Sequence, residues 1–432
     1  MAPAPVSGGD APRPGPAEVR HNVLALGVDY ALFMVGLSFA SQSTILPAFA
    51  RHLGAPNLLI GAIPAVMTVG WFLPSLFVAG HTEALAAKLP FVLRWTVWER
   101  VPILVLALAA FLLAERAPAA TLALLLAVLL VTTGVGGTLM PAWMDIVGRC
   151  IPTRLRGRFF GISNMAASAS GLVGSFGTAY VLATIPAPAS YGVCLFAGAA
   201  CLGLSYLALA VVREPPGAAP APPVPLGRYL RRVPALLRRD GNLPWFLAAR
   251  AAAIVGAMGA GFYTVHALEA YGAPTWQVGV FTSVLLAGQM VGNLVLGWLA
   301  DRAGHRLVIM LGVASMVATN VVALTAPSLD VLTVVFALLG VHQAAVHVST
   351  LNILLEFAPT VDERPTYVGL GTTSVAPVAF VSPLVAGLLA DSVGLPAVFR
   401  MAAVFGLLAL AVLATRVRDP RHVRAAATGA PA

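Results

Sequence analysis

Twelve apolar stretches, each long enough to cross a lipid bilayer, follow one another along the chain and leave room for few architectures. A helix needs about 20 mainly apolar residues to traverse the hydrocarbon core. The runs at 23–48, 57–80, 98–114, 120–147, 158–184, 190–212, 244–270, 275–299, 306–326, 330–356, 367–390 and 396–416 are of that order. In lipid every backbone polar group must be satisfied internally, so uninterrupted apolar runs of this length read as helices. Composition agrees: at 59% hydrophobic and 10% charged, 432 residues carry too few charges to coat a soluble globule. The expectation is an all-α polytopic membrane protein with twelve transmembrane helices.

The net charge of +9 raises the question of nucleic acid. The basic residues, all arginine except Lys88, sit mainly in the short links between apolar runs, which is a topology signal rather than a phosphate-binding face. The partner this implies is the bilayer, with no nucleic acid. With the amino terminus inside, only Arg51, Arg116 and Arg400 are left for the far side. By the positive-inside rule both termini are then cytoplasmic, and the expected location is the bacterial inner membrane. Trp95, Trp98, Trp245 and Trp298 cluster near the same face, where interfacial anchors belong. Residues 1–21, rich in Pro, Ala and Gly, lack the order of a signal peptide and read as a disordered cytoplasmic tail, and 417–432 as a cytoplasmic tail.

Between Glu214 and Leu243 the character changes. The proline-rich stretch 215–225 is an extended linker. Residues 226–239 set Leu230, Val233, Leu236 and Leu237 against five arginines, which suits a basic amphipathic helix on the inner leaflet or a solvated basic linker. This segment, 214–243, divides two halves, 22–213 and 244–416, that align with each other. Gly54-Ala-Pro56 with Gly61 recurs as Gly272-Ala-Pro274 with Gly279, and Gly80 corresponds to Gly297. Ordered matches at equivalent helix ends argue for two pseudo-symmetric six-helix bundles with a binding site between them.

The run Gly297-Trp-Leu-Ala-Asp-Arg-Ala-Gly-His-Arg306 joins the eighth and ninth apolar stretches. Physically it is a glycine-permitted reversal, in which Asp301 can accept from helix-terminal N–H groups and Arg302 can reach a carbonyl or carboxylate. An ordinary charged turn that fixes topology would need no more. Through Gly297, Leu299, Ala300, Asp301, Arg302, Gly304 and Arg306 it also resembles the loop signature of the major facilitator superfamily of secondary transporters. His305 and Ala303 depart from that pattern, and the first-half copy, Gly80-His-Thr-Glu83, lacks the Asp-Arg pair, although Lys88, Arg94 and Arg100 keep its positive charge. The resemblance covers about 22–416. It implies the family fold and alternating-access transport of a small solute, with a coupling proton as the family default; the alternatives are an uncoupled facilitator and a non-transporting membrane enzyme or receptor on the same fold. It also implies no enzymatic activity and a monomer.

Ionisable groups inside spans are costly and therefore informative. Asp29 in the first run and Arg250 in the seventh lie at similar depth on equivalent helices, which the resemblance places on the central cavity. The expectation is that both face it and pair there, directly or through substrate; the alternative is that each is satisfied within its own half. The tenth run carries His342, Gln343, His347 and Thr350, with Gln343, His347 and Thr350 on one face and His342 about 100 degrees round it. A cavity histidine could carry a proton or donate to an anion, whereas a histidine held by a helix carbonyl would be structural. Tyr263, His266, Gln289 and Asn293 extend the polar lining. Toward the cytoplasm Arg302 and Glu356 form a candidate gate pair, matched in the first half by Asp145, Arg149, Arg154, Arg156 and Arg158. Cys150, Cys194 and Cys201 form no ligand spacing, and there is no phosphate-binding loop and no metalloprotease or nucleophile motif, so neither a metal, a cofactor nor an enzyme is expected.

Overall fold

The computed structural model describes residues 15–83, 85–215, 241–358 and 363–419. The basic segment 226–239 lies outside them. The helices are α1 (Pro16–Ser38), α2 (Ile45–His52), α3 (Asn57–Glu83), α4 (Leu89–Leu112), α5 (Pro118–Cys150), α6 (Thr153–Thr184) and α7 (Ala189–Ala210) in the first half. The second half holds α8 (Leu243–Gly256), α9 (Phe262–Ala270), α10 (Gln277–Ala303), α11 (His305–Thr325), α12 (Leu329–Phe357), α13 (Arg364–Thr373), α14 (Ala376–Ser392) and α15 (Leu395–Thr415). Among the described residues eleven segments are long and apolar enough to span a membrane. The twelfth is α8 continued by α9 after a break. The chain is thus an all-α polytopic membrane protein, as its apolar runs require. Helix begins at Pro16, so the first span starts earlier than the sequence pattern suggests.

The packing repeats. In the first half α1 lies against α6 and α7, α4 against α5 and α7, and α3 against α5. In the second, α8 lies against α14 and α15, α11 against α12 and α15, and α10 against α12. The pairs that cross between halves obey the same symmetry, because α3 with α14 is the counterpart of α10 with α6. Both crossings depend on the glycines matched in sequence. A Cβ on Gly61 would lie 2.1 Å from the carbonyl oxygen of Pro383, and one on Gly279 would lie 2.4 Å from the backbone nitrogen of Ala179. Small residues are what permit backbones to approach this closely. Gly54 and Gly272, at φ +80° and +63°, make the same left-handed reversal that a side chain would strain.

Helix ends keep the repeat register as well. The first break follows Ser38 and the break in the seventh span follows Gly256, while α2 and α9 end at His52 and Ala270, all at the displacement that separates Gly54 from Gly272. Each half is also closed by an asparagine. The Asn22 amide donates to the Arg213 carbonyl at 2.8 Å and accepts from its N–H at 2.9 Å. Asn242 makes the same two bonds to Arg418, both 2.8 Å. Each joins the first helix of a half to the backbone after its last helix. Next in sequence, Glu214 accepts from the Lys88 and Leu89 N–H groups at the start of α4 at 2.8–3.0 Å. Its counterpart Asp419 lies against Gly304, where α11 begins.

Candidate functional site: a cleft between halves and a buried charge cluster

Three spans are interrupted at middle depth: the first at residues 39–44, the seventh at 257–261 and the eleventh at 374–375. Residues of all three breaks line one cavity of about 330 Å³ between the halves, Gln42 from the first, Ala257, Met258, Ala260 and Gly261 from the second and Val375 from the third. Irregular backbone at membrane depth is tolerated only where protein buries it or a wet cavity borders it. Toward the Gly54 end the halves are pinned together. Thr44 and Thr282 share a hydroxyl bond of 2.8 Å, the Thr264 hydroxyl donates to the Ser43 carbonyl, and Arg51 pairs with Glu269 at 2.7 Å. There too the Asp391 carboxylate accepts from the Asn57 and Leu58 N–H groups, 2.9 Å each, capping α3 from the opposite half. Among the described residues, the polar bonds that cross between halves lie in this part of the cleft.

Asp29 and Arg250 are not brought together; each is satisfied within its own half. Asp29, 3% exposed, accepts from the Ser205 hydroxyl at 2.6 Å and the Trp143 indole at 3.0 Å, and lies 3.4 Å from Arg100. Arg100 in turn sits 3.2 Å from Glu99, bonds the Thr96 hydroxyl, and donates to the Leu202 carbonyl at 3.0 Å. The Thr96 hydroxyl donates to Glu99 at 2.8 Å. The sequence pattern placed Arg100 among loop charges because Arg94 interrupts the apolar run before Trp98. In fact α4 begins at Leu89, which puts Glu99 and Arg100 about three turns inside it, 6% and 7% exposed. Asp29, Glu99 and Arg100 border a separate cavity of about 120 Å³ inside the first half. Gly136 makes room for Glu99, since a Cβ there would lie 2.6 Å from its Oε1.

Arg250 faces the larger cavity and donates to the Gly371 carbonyl at 2.7 Å, near the end of α13. From α12 that cavity takes His342, Ala345, Val346 and Thr350, a single helical face. His342 Nδ1 lies 2.9 Å from the Gly312 carbonyl. The face expected from sequence, with Gln343 and His347, is therefore off by about one residue: Thr350 lines the cavity, but exposed His347 meets Gln289 at 3.2 Å and Gln343 is not in the lining. Tyr263 and His266 are packing residues in this structure. The Tyr263 hydroxyl donates to Asn320 at 2.9 Å and its ring stacks on Phe399, while His266 is wedged between Tyr271 and Phe399.

At the opposite end, Gly297 lies within α10 and Gly304 takes φ +90° at the turn to α11. Arg306 donates to the Leu413 and Ala414 carbonyls at the end of α15 at 2.8–3.1 Å. The expected pair of Arg302 with Glu356 is not formed. Arg302 lies over the Trp298 ring at 4.1 Å, and Glu356 lies 3.8 Å from His305, which also meets the Ser349 hydroxyl. Asp301 is exposed on the same turn. In the first half Asp145 pairs with Lys88 at 2.5 Å and with Arg149 at 2.8 Å, while the side chains of Arg154, Arg156 and Arg158 lie outside the described part. The exposed rings of Trp298 and Trp245, under Arg302 and Arg416, suit interfacial anchors.

Two like bundles, with broken helices bordering a cleft pinned at one end, define a class: polytopic membrane proteins built as duplicated halves about a shared cavity. Residues 258–432 match the sequence model of the Major Facilitator Superfamily. The Multidrug efflux pump LfrA of Mycolicibacterium smegmatis is 32% identical over 149 residues, which is 34% of this chain and 29% of that one, so the likeness spans under a third of that relative. A solved variant of nucleoside transporter NupG superposes with TM-score 0.72 at 13% identity, over 92% of this chain and 100% of its own. The D-xylose-proton symporter gives 0.69 at 12%, over 92% and 98%. Residues 258–432 thus carry that superfamily's sequence pattern, the whole chain shares the fold of the two solved transporters, and the named relatives are transporters and a pump rather than enzymes.

Proposed function

We infer that the protein moves a small solute across the bacterial inner membrane by alternating access, with the end that carries the Gly304 turn cytoplasmic and protons as the coupling ion. The observation that carries this reading is the cleft itself: three helices are interrupted at its middle, and its crossing bonds gather toward one end. Opening that end means losing the Thr44–Thr282 and Arg51–Glu269 contacts and the Asp391 cap of α3. None of these lies within a bundle, so the halves can rock apart without unfolding either.

For the proton we assign the cluster of Asp29, Glu99 and Arg100. Two carboxylates around one guanidinium, all nearly excluded from solvent, leave one uncompensated negative charge. Holding that charge at membrane depth is costly, and a single proton on either carboxylate makes the cluster neutral. Asp29 lies on α1 and Glu99 on α4, so a proton shared between them can register movement of the first span against the third. The D-xylose-proton symporter, by its name, couples a sugar to protons on the same fold.

The test uses the purified protein in sealed liposomes holding a pH-sensitive dye. Solutes from a metabolite and drug library are added outside while internal pH and solute uptake are followed. A solute that moves together with protons in the wild type, and exchanges without net proton movement in Glu99→Gln, supports the reading. Solute flux unaffected by a protonophore would make the protein an uncoupled facilitator. Absence of flux for any solute, together with a cysteine at Val346 that is reachable from one side only under every condition, would end the carrier interpretation.

A further inference from the structure

We propose that the cleft takes an amphipathic organic anion, its carboxylate or equivalent group paired with Arg250 and its apolar body against the surrounding aliphatic wall. This rests on the reading of the cleft as the solute site. Among the described residues lining the 330 Å³ cavity, Arg250 is the single permanently charged side chain, and none carries a carboxylate. The rest of the wall is mainly aliphatic and aromatic, with Gln42, His342 and Thr372 among the few polar groups.

Among the described residues Arg250 has one hydrogen bond, to the Gly371 carbonyl, and no ion pair. A guanidinium carries five N–H donors in a planar fork that matches a carboxylate, and it does not give up its charge. Arg100 shows what this chain does with an arginine it means to neutralise: two carboxylates lie within 3.4 Å and further acceptors ring it. Arg250 has no such shell. While the cleft is wet, water can complete its solvation. When the halves close over a solute the water leaves, and an unpaired guanidinium at membrane depth is then strongly unfavourable. An anionic solute removes that cost and a neutral or cationic one leaves or worsens it. The charge therefore selects for what may be occluded as well as for what binds.

The Gly371 bond also gives Arg250 a local task, capping carbonyls near the end of α13. Glutamine retains a donor for that carbonyl but lacks the charge, so Arg250→Gln separates the two tasks, and Arg250→Lys restores charge without the fork. The experiment measures binding to the full-length protein in nanodiscs, using matched triplets in which one apolar body carries a carboxylate, a primary amide or an ammonium group. The bodies are phenyl, naphthyl and an eight-carbon alkyl chain. The expected result is at least one triplet whose carboxylate binds at least tenfold tighter than its amide and its amine. That preference should fall to within twofold in Arg250→Gln and partly return in Arg250→Lys, with all three proteins melting within a few degrees of one another without ligand. If no carboxylate in the panel outcompetes its partners, or if the preference survives in Arg250→Gln, the proposal is overturned. Flux of the same triplets distinguishes the two readings. Arg250-dependent carboxylate binding without transport would remove the carrier reading and leave the anion site, whereas transport of the ammonium partner would do the reverse.

Discussion

Arg100 in the first half and Arg250 in the second both project from apolar, membrane-length segments, yet their surroundings are opposites. Around Arg100 the chain supplies two carboxylates, two hydroxyl groups and two backbone carbonyls, and buries them together. Around Arg250 it supplies one carbonyl and an apolar wall open to the cleft. The halves share the break in their first spans, the glycine contacts and the asparagine clamps, but the two arginines stand at non-equivalent places, Arg100 on the third span and Arg250 on the seventh. A closed acidic cluster suits an ion small enough to reach it, such as a proton. An open cationic pocket suits a larger anion.

The largest effect that would break this contrast concerns stability. Arg100→Leu strands two buried carboxylates, and removing one partner of a buried pair costs about 3–5 kcal/mol. Arg250→Gln keeps the Gly371 bond in a pocket that water can enter, and the loss should stay within about 1 kcal/mol. Thermal melting of both variants in the same detergent should place Arg100→Leu well below the wild type and Arg250→Gln beside it. Equal melting of the two would show that their surroundings do not differ in the way the structure describes.

Next in size is coupling. Glu99→Gln fixes the neutral form of one carboxylate while preserving shape, so the cluster no longer has a charge to compensate. Accumulation driven by a pH gradient should fall at least tenfold, while exchange of solute at equal pH continues. A matching loss in both assays would mean that Glu99 serves folding rather than proton binding.

A third measurement asks whether the halves differ outside their charges. Asn22→Ala removes a buried side chain and leaves the part-buried N–H and carbonyl of Arg213 without their partner, at about 1–3 kcal/mol. Asn242 makes the same bonds at a more exposed place, so Asn242→Ala should lower the melting temperature less. If Asn242→Ala proved the more damaging, solvent access would not be what distinguishes the two clamps.

Much of this was legible in the residues. Apolar run length gave the spans, and Gly54, Gly61, Gly272 and Gly279 gave the duplication, because turns and close approaches leave the designer few alternatives to glycine. Asp29 and Arg250 stood out because charge at membrane depth demands a reason. Their partners did not. Glu99 and Arg100 sit after an arginine and two tryptophans, which read as the rim of the membrane, and only the start of α4 at Leu89 places them inside. The face of α12 was misjudged for a related cause: with apolar residues all round the helix, periodicity leaves its rotation undetermined by about one residue. Nor could pattern show that Tyr263 and His266 would be taken up by Asn320, Tyr271 and Phe399, since which polar groups meet is decided by tertiary packing.

The smallest predicted effect lies where the halves meet. Asp391 reaches from the end of α14 to cap α3, placing a full negative charge on the positive end of a helix in the other half. Asparagine can still accept from one of the two N–H groups, but it lacks the charge that interacts with the helix end, a difference of about 0.3–1 kcal/mol at an exposed site. The folded halves do not depend on this bond, so Asp391→Asn should melt like the wild type. Its effect should fall on the balance between conformers: a contact present only while the Gly54 end is closed stabilises that state alone, and weakening it by this amount shifts the populations about two- to fivefold toward the opposite one. Distances between spin labels at His52 and Tyr271 should then show a larger fraction of long separations in Asp391→Asn. An unchanged distribution would mean that the cap is kept in both states, and that the halves turn about this point instead of parting at it.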